Sequence, residues 1–189
     1  IAEMKPADVW MLTPQDASII SCSEDLAASG LLRAGDIVFH CSGAMPSGVL
    51  QAAVACGAHV AGVHPLKSFA DPRDAVRNFT GTYCAAEGAR EALEVLKPAF
   101  ERIGACVSEI DANFKTIYHA ASVIVCNYLT ALMEAGLKCY EKSGLPRDTA
   151  SAMMEPLVRE TVENVFRLGT VKALTGPIAR GDHAVVAKQ

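Results

Sequence analysis

The sequence predicts an α/β protein, with a mostly parallel sheet in its first half and an all-helical second half. Two observations carry this. Up to Ile110, short β-rich apolar runs alternate with stretches of helical spacing; from Asn113 onward the strand signal stops and only the helical period remains. Strands that are apolar on both faces and separated by helices belong to a parallel sheet covered on both sides. The change of pattern at Ile110-Asp111-Ala112 predicts an α/β domain over residues 1–111 and a helical domain over 112–189.

The elements follow in order. Asp8-Val9-Trp10-Met11-Leu12 is a compact apolar strand stopped by Thr13-Pro14, and a helix from about Gln15 to Ala28 ends at Gly30. The turn Ala34-Gly35-Asp36 introduces a second strand, Ile37 to Cys41, closed by Ser42-Gly43. Ser47 to Cys56 reads as a short helix, and His59 to Val63 as a third strand ended by His64-Pro65. Gly81 to Ala86 and Cys106 to Ile110 complete the sheet. Between them Ala89, Leu93, Leu96, Phe100 and Ile103 recur at helical spacing, with Pro98 as a kink. Asn113 to Ser143 is one long helix stopped by Gly144, with Pro146 just beyond. A second long helix covers 147–168 and ends at Gly169. Ala173 to Pro177 reads as a loop, and Asp182 is a good N-cap for a last helix.

Composition narrows the function classes. Hydrophobic residues make up 51% of the 189 and charged residues 20%, which excludes a disordered chain. Seventeen basic against 21 acidic residues give a net charge of -4 without a basic cluster, so no nucleic-acid partner is expected. Seven scattered cysteines, an odd count without a CxxC pair, read as free thiols of a cytoplasmic protein. No Asp, Glu, Lys or Arg occurs from Thr116 to Met133, a run just long enough to span a bilayer. It contains Tyr118, His119, Ser122, Asn127 and Thr130, so the sequence reads it as a buried central helix, and no membrane partner is expected.

Ligands of open α/β sheets bind outside the carboxyl ends of the strands. Three such ends carry small or polar residues: Thr13-Pro14, His40-Cys41-Ser42-Gly43 and His64-Pro65. Ser42-Gly43 would let a flat ligand approach the backbone, although Ser, Gly and Pro are also ordinary turn residues. On the long helix Lys115, His119, Ser122 and Cys126 fall in one narrow stripe, bordered by Tyr118. A lysine and a histidine one turn apart on so apolar a helix need a polar destination, and a cleft beside the strand ends would give one. Equally, Lys115 in the first turn can reach water and His119 can be a hydrogen-bonded core residue. His40, Cys41, His64 and His119 lack the spacing of a zinc site, and no metal is expected. Arg180-Gly181-Asp182 reads as a helix start, with Arg180 free to reach into a cleft. The 189 residues contain no G-x-G-x-x-G, the loop that presents backbone N–H groups to a pyrophosphate.

Four strings in collinear order carry a resemblance: HCSGAMPSGVL, GVHPLKSFADP, KTIYHAASVIVCNYLTALMEAG and ALTGPIARGD. They resemble Rossmann-like oxidoreductases with a C-terminal helical domain of unknown function, relatives of 6-phosphogluconate dehydrogenase, prephenate dehydrogenase, ketopantoate reductase and pyrroline-carboxylate reductase. In that family the glycine loop precedes the segment similar to ADVWMLTPQDASI, so the chain looks like a member without its first part, roughly 60 to 80 residues.

The resemblance implies NADP or NAD as cofactor, whose binding would be weakened without the glycine loop, and a small carbonyl, imine or hydroxy-acid substrate. It implies that Thr13, Pro14, Ser42 and Gly43 line the nicotinamide side. Lys115 is similar to the lysine that opens the interdomain helix and moves a proton, with His119 where hydroxyacid dehydrogenases carry asparagine. His64-Pro65 is similar to the HP motif beside the substrate of prephenate dehydrogenases. The catalytic set is therefore Lys115, His119 and His64, and the substrate set His40, Pro65, Ser122 and Arg180. A Lys115→Ala variant is expected to lose turnover with little loss of stability. The alternative is a non-catalytic dimeric small-molecule-binding module with a degenerate or truncated Rossmann domain. In either case the apolar helix from Asn113 predicts a homodimer through the helical domain, because one neighbouring helix cannot cover it.

Overall fold

A computed structural model describes residues 3–188. Five strands form one sheet in the order β1-β2-β3-β4-β5: β1 (Val9–Leu12), β2 (Ile37–His40), β3 (His59–Pro65), β4 (Tyr83–Gly88) and β5 (Cys106–Glu109). All neighbouring pairs are parallel except β3 with β4. The carboxyl ends of β1, β2 and β3 therefore share one rim, as the sequence pattern requires. The connection from β3 to β4 carries only the short α3 (Pro72–Arg77), which an antiparallel neighbour permits because no crossover is needed.

Alternation along the strands sorts the side chains onto two faces. Ile37, Phe39, Ala61, Val63, Cys84 and Ala86 pack against Leu93 and Leu96 of α4 (Arg90–Arg102). Trp10, Val38 and Val60 point the other way, against Ile19 and Leu26 of α1 (Ile19–Ala28), Leu50, and Ala53 of α2 (Gln51–Ala55). Both faces of the inner strands β2, β3 and β4 are thus buried, and this is why these strands are mostly apolar, whereas the edge strands β1 and β5 stay partly exposed. Pro98 lies inside α4 without ending it.

Local differences from the sequence reading are small. The fourth strand runs two residues further than expected, to Gly88, and the helix expected over 47–56 is a 3-10 turn (Ser47–Val49) followed by α2. The Ala173–Pro177 loop shrinks, because short α8 (Thr170–Ala173) and α9 (Gly176–Ala179) flank Leu174-Thr175. Asp182 caps α10 (His183–Val186) by accepting the Val185 N–H.

The long helix spans Ala112–Lys142, with α5 (Lys115–Val123), a π-helical stretch (Ile124–Tyr128) and α6 (Leu129–Lys142). It is not a buried central helix. Ile117, Val125 and Leu132 are 67%, 72% and 70% exposed, and by length and composition alone the helix could cross a membrane. An apolar sequence states that a helix needs covering; it does not state that its own chain supplies the cover.

Two compact units divide between Asn127 and Tyr128, sixteen residues beyond the change in sequence pattern at 111–112. The first contains the sheet, its helices and α5. In the second, α6 packs against α7 (Arg147–Leu168), with Ala150 and Met154 buried and Arg147 paired to Glu134 at 2.6 Å.

Candidate functional site

The site starts from one row across the sheet. His40 of β2 pairs with Gly62 of β3, and Gly62 pairs with Glu87 of β4. Neighbours in register point to the same face, so His40 and Glu87 flank a position that has no side chain. The Lys115 ammonium enters that gap: a Cβ on Gly62 would collide with Lys115 Nζ and Glu87 Oε1. Lys115 is 1% exposed and donates to Glu87 Oε1 at 2.7 Å, and Glu87 is itself buried. The carboxylate also accepts the Ser47 N–H at 2.9 Å and the Ser47 hydroxyl at 2.6 Å. The lysine that the sequence offers either to water or to a cleft therefore reaches neither; it is buried in an ion pair.

One turn along α5 the side chains turn toward the rim. Tyr118 Oη lies 3.0 Å from His64 Nδ1, where either group can donate, depending on which imidazole nitrogen holds the proton. His64 meets Tyr118 and His119 edge-on, at centroid distances of 5.7 and 5.8 Å. Both imidazoles close on the backbone of Gly43, where a Cβ would stand 2.5 Å from His119 Nδ1 and 2.8 Å from His64 Nε2. The open face of Gly43, expected to admit a flat ligand, is taken by the two histidines instead. His119 Nδ1 is buried and has no hydrogen-bond partner among the described residues. His64, Tyr118, His119 and Ser122 line a cleft of ≈ 510 Å³ with Leu66, Lys67 and Val125.

Burial, followed by the His119 and Lys115 charges, drives the His64 pKa down to about 4, so the ring is neutral at pH 7. His40 shifts in the same direction, through burial first and Lys115 second. Burial pushes the Cys41 and Cys84 thiols up to about 11, which leaves them unreactive.

The remaining sequence candidates are placed as follows. His40 is fully buried, accepting the Ser42 N–H at Nδ1 (3.2 Å), and it faces the ion pair rather than the cleft. Ser42 is turned into its own loop, its hydroxyl accepting from the Ala44 and Met45 N–H groups. Thr13 and Pro14 line a separate groove of ≈ 610 Å³ beside β1. Pro65 ends β3, and Arg180 is exposed in the second unit. Among the described residues no group of acidic, His and Cys side chains could hold a metal ion.

Sequence reasoning missed Glu87, Ser47 and the gap at Gly62. A carboxylate in the otherwise apolar string Tyr83-Cys84-Ala85-Ala86-Glu87-Gly88 was the available signal, and ending that strand at Ala86 hid it.

Comparison with known proteins places this geometry. Residues 82–189 match the model of a domain of unknown function, DUF2520, and residues 3–65 that of a Rossmann-like domain. No curated protein matches the chain. A solved structure from Thermotoga maritima is 26% identical over 99% of this chain and 70% of that one, with a TM-score of 0.78. A protein of Bacteroides fragilis proposed to be an NADP oxidoreductase is 24% identical over 99% and 69%, at 0.78. The Plasmodium falciparum pyrroline carboxylate reductase, solved with NADP bound, is 15% identical over 96% and 70%, at 0.64. The last two likenesses establish the fold alone.

Lys115→Ala will destabilise the protein rather than leave it unchanged, since it strands Glu87 without its cation. A loss of about 3–5 kcal/mol is expected in urea denaturation. A second expectation concerns pH. Because the native pKa of His64, about 4, lies below its ordinary 6.5, the unfolded chain takes up the proton first as pH falls. The stability contributed by a neutral His64 is complete above pH 6.5 and is lost toward pH 4. Denaturation midpoints across that interval should fall less steeply for His64→Gln than for the parent.

Proposed function

Because the chain belongs to the DUF2520 family and joins that domain to a Rossmann-like one, we propose that it is an NAD(P)-dependent oxidoreductase acting on a small carbonyl, imine or hydroxy-acid substrate. The observation that carries the reading is the meeting of three polar rings, His64, Tyr118 and His119, at the wall of a cleft of ligand size. The NADP-bound state of a structural neighbour supports a nicotinamide cofactor, and Thr13 and Pro14, which line the groove beside β1, are the strand-end residues left open to it. When bound, that group supplies hydride chemistry.

Within this reading His119 moves the proton, and His64, neutral and bonded to Tyr118, keeps the imidazole and the ligand oriented. Lys115 does not touch the ligand: it is a fixed buried cation. Ser122, one helical turn after Tyr118, offers a hydroxyl to the same cleft.

His119→Gln should lower turnover of NADPH with a panel of small carbonyls and imines by about 10²- to 10⁴-fold, with nicotinamide affinity, read by fluorescence, unchanged. Parent-level turnover in His119→Gln and in His64→Gln would defeat the reading.

We also propose that the chain is a homodimer, through the apolar side chains left exposed on α6 and α7, among them Leu132, Leu157 and Phe166. Large apolar side chains exposed on packed helices call for a cover, and a twofold partner is the commonest one. Light scattering at micromolar concentration should give twice the 19.9 kDa of one chain; 19.9 kDa itself would refute the dimer.

A further inference from the structure

We propose that Glu87 is a positioning residue: its carboxylate, held between Ser47 and Lys115, sets the separation of the loop after β2 from the first turns of α5, and so keeps His119 and His64 closed on Gly43. The inference rests on the reading of these histidines as the reacting groups.

Three pieces of chain meet at this one carboxylate. Glu87 sits on β4, which is hydrogen-bonded to β3 on one side and β5 on the other. Ser47 is 40 residues away and Lys115 is 28. Oε1 takes both the Ser47 N–H and the Lys115 ammonium, while Oε2 takes the Ser47 hydroxyl, so the group is fixed in rotation as well as in place. Bonds to an ionised acceptor are the strong ones, and buried they have no water to exchange with.

What these contacts position lies four residues away in each case, before Ser47 and after Lys115. Ser47 follows Gly43 through a loop stiffened by Ser42, whose hydroxyl accepts two backbone N–H groups, so a shift at Ser47 reaches Gly43. Lys115 precedes His119 by about one helical turn, so any slide or rotation of α5 at Lys115 appears at His119 almost undiminished. The clearance on Gly43 leaves little room for such movement: the space of a single missing Cβ separates its backbone from both imidazoles.

Net stability is not the main consequence of such a pair. Apolar residues of equal volume commonly serve as well, whereas a charged, hydrogen-bonded pair has one sharp optimum of geometry. That difference supplies the test. Glu87→Gln combined with Lys115→Met leaves no unpaired buried charge, keeps an amide able to bond Ser47 through both its oxygen and its nitrogen, and cuts only the link to α5. Glu87→Asp keeps the charge and shortens the arm by one carbon. In both variants histidine ring resonances are recorded by NMR, and carbethoxylation of His64 and His119 by diethyl pyrocarbonate is followed by mass spectrometry, with exposed His183 as the internal reference.

With the melting temperature held close to the parent's, the His64 and His119 resonances should shift and their labelling should rise about tenfold relative to His183, as expected when a local closure is loosened. Should either folded variant leave resonances and labelling rates as in the parent, Glu87 does not position the histidines and the inference falls. Glu87→Asp keeps the experiment decisive if the double variant does not fold. None of these measurements uses a substrate, so their failure is distinct from the failure of His119→Gln to lower turnover.

Discussion

The buried pair between Lys115 and Glu87 is the constraint on which the rest of the site depends. A lysine 1% exposed cannot remain charged in an apolar interior without a partner, and that partner must in turn have its other lone pairs met. Ser47 meets them with its N–H and its hydroxyl. The loop after β2, the strand β4 and the helix α5 are therefore tied at one point, although they lie far apart in sequence. The rim chemistry is arranged around that point.

Two glycines make the arrangement possible, each by lacking a side chain at a crowded place. Gly62 lies between His40 and Glu87 in the register of the sheet and leaves the opening that the Lys115 ammonium fills. Gly43 leaves the surface on which His64 and His119 converge. Neither glycine needs an unusual backbone angle; its φ is not in the left-handed region. Burial first, and after it charges that include that of Lys115, favour the neutral forms of His40 and His64. His64, neutral beside Tyr118, and His119 meet at the wall of the cleft that Lys67 also lines.

The long helix has two tasks that its sequence mixes together. Its first turns carry Lys115, Tyr118 and His119 and belong to the unit that holds the sheet, while beyond Tyr128 it pairs with α7 in the second unit. The π-helical stretch Ile124–Tyr128 falls where the one task gives way to the other.

Periodicity alone determined the fold class here: the five strands, the helices between them other than α3, the two long helices and the Gly169 stop all lie within a few residues of where apolar spacing, glycine and proline put them. Local chemistry decides such features, because each depends on residues within one or two turns of one another. The same local rules gathered His64, Tyr118, His119 and Ser122 as candidates, but they could not tell whether Lys115 would meet water, a ligand or a carboxylate. That was decided by Glu87, Ser47 and Gly62, brought together only when β3 and β4 pair in one particular register. A buried charge takes its meaning from its partner, and the partner is chosen by the tertiary structure.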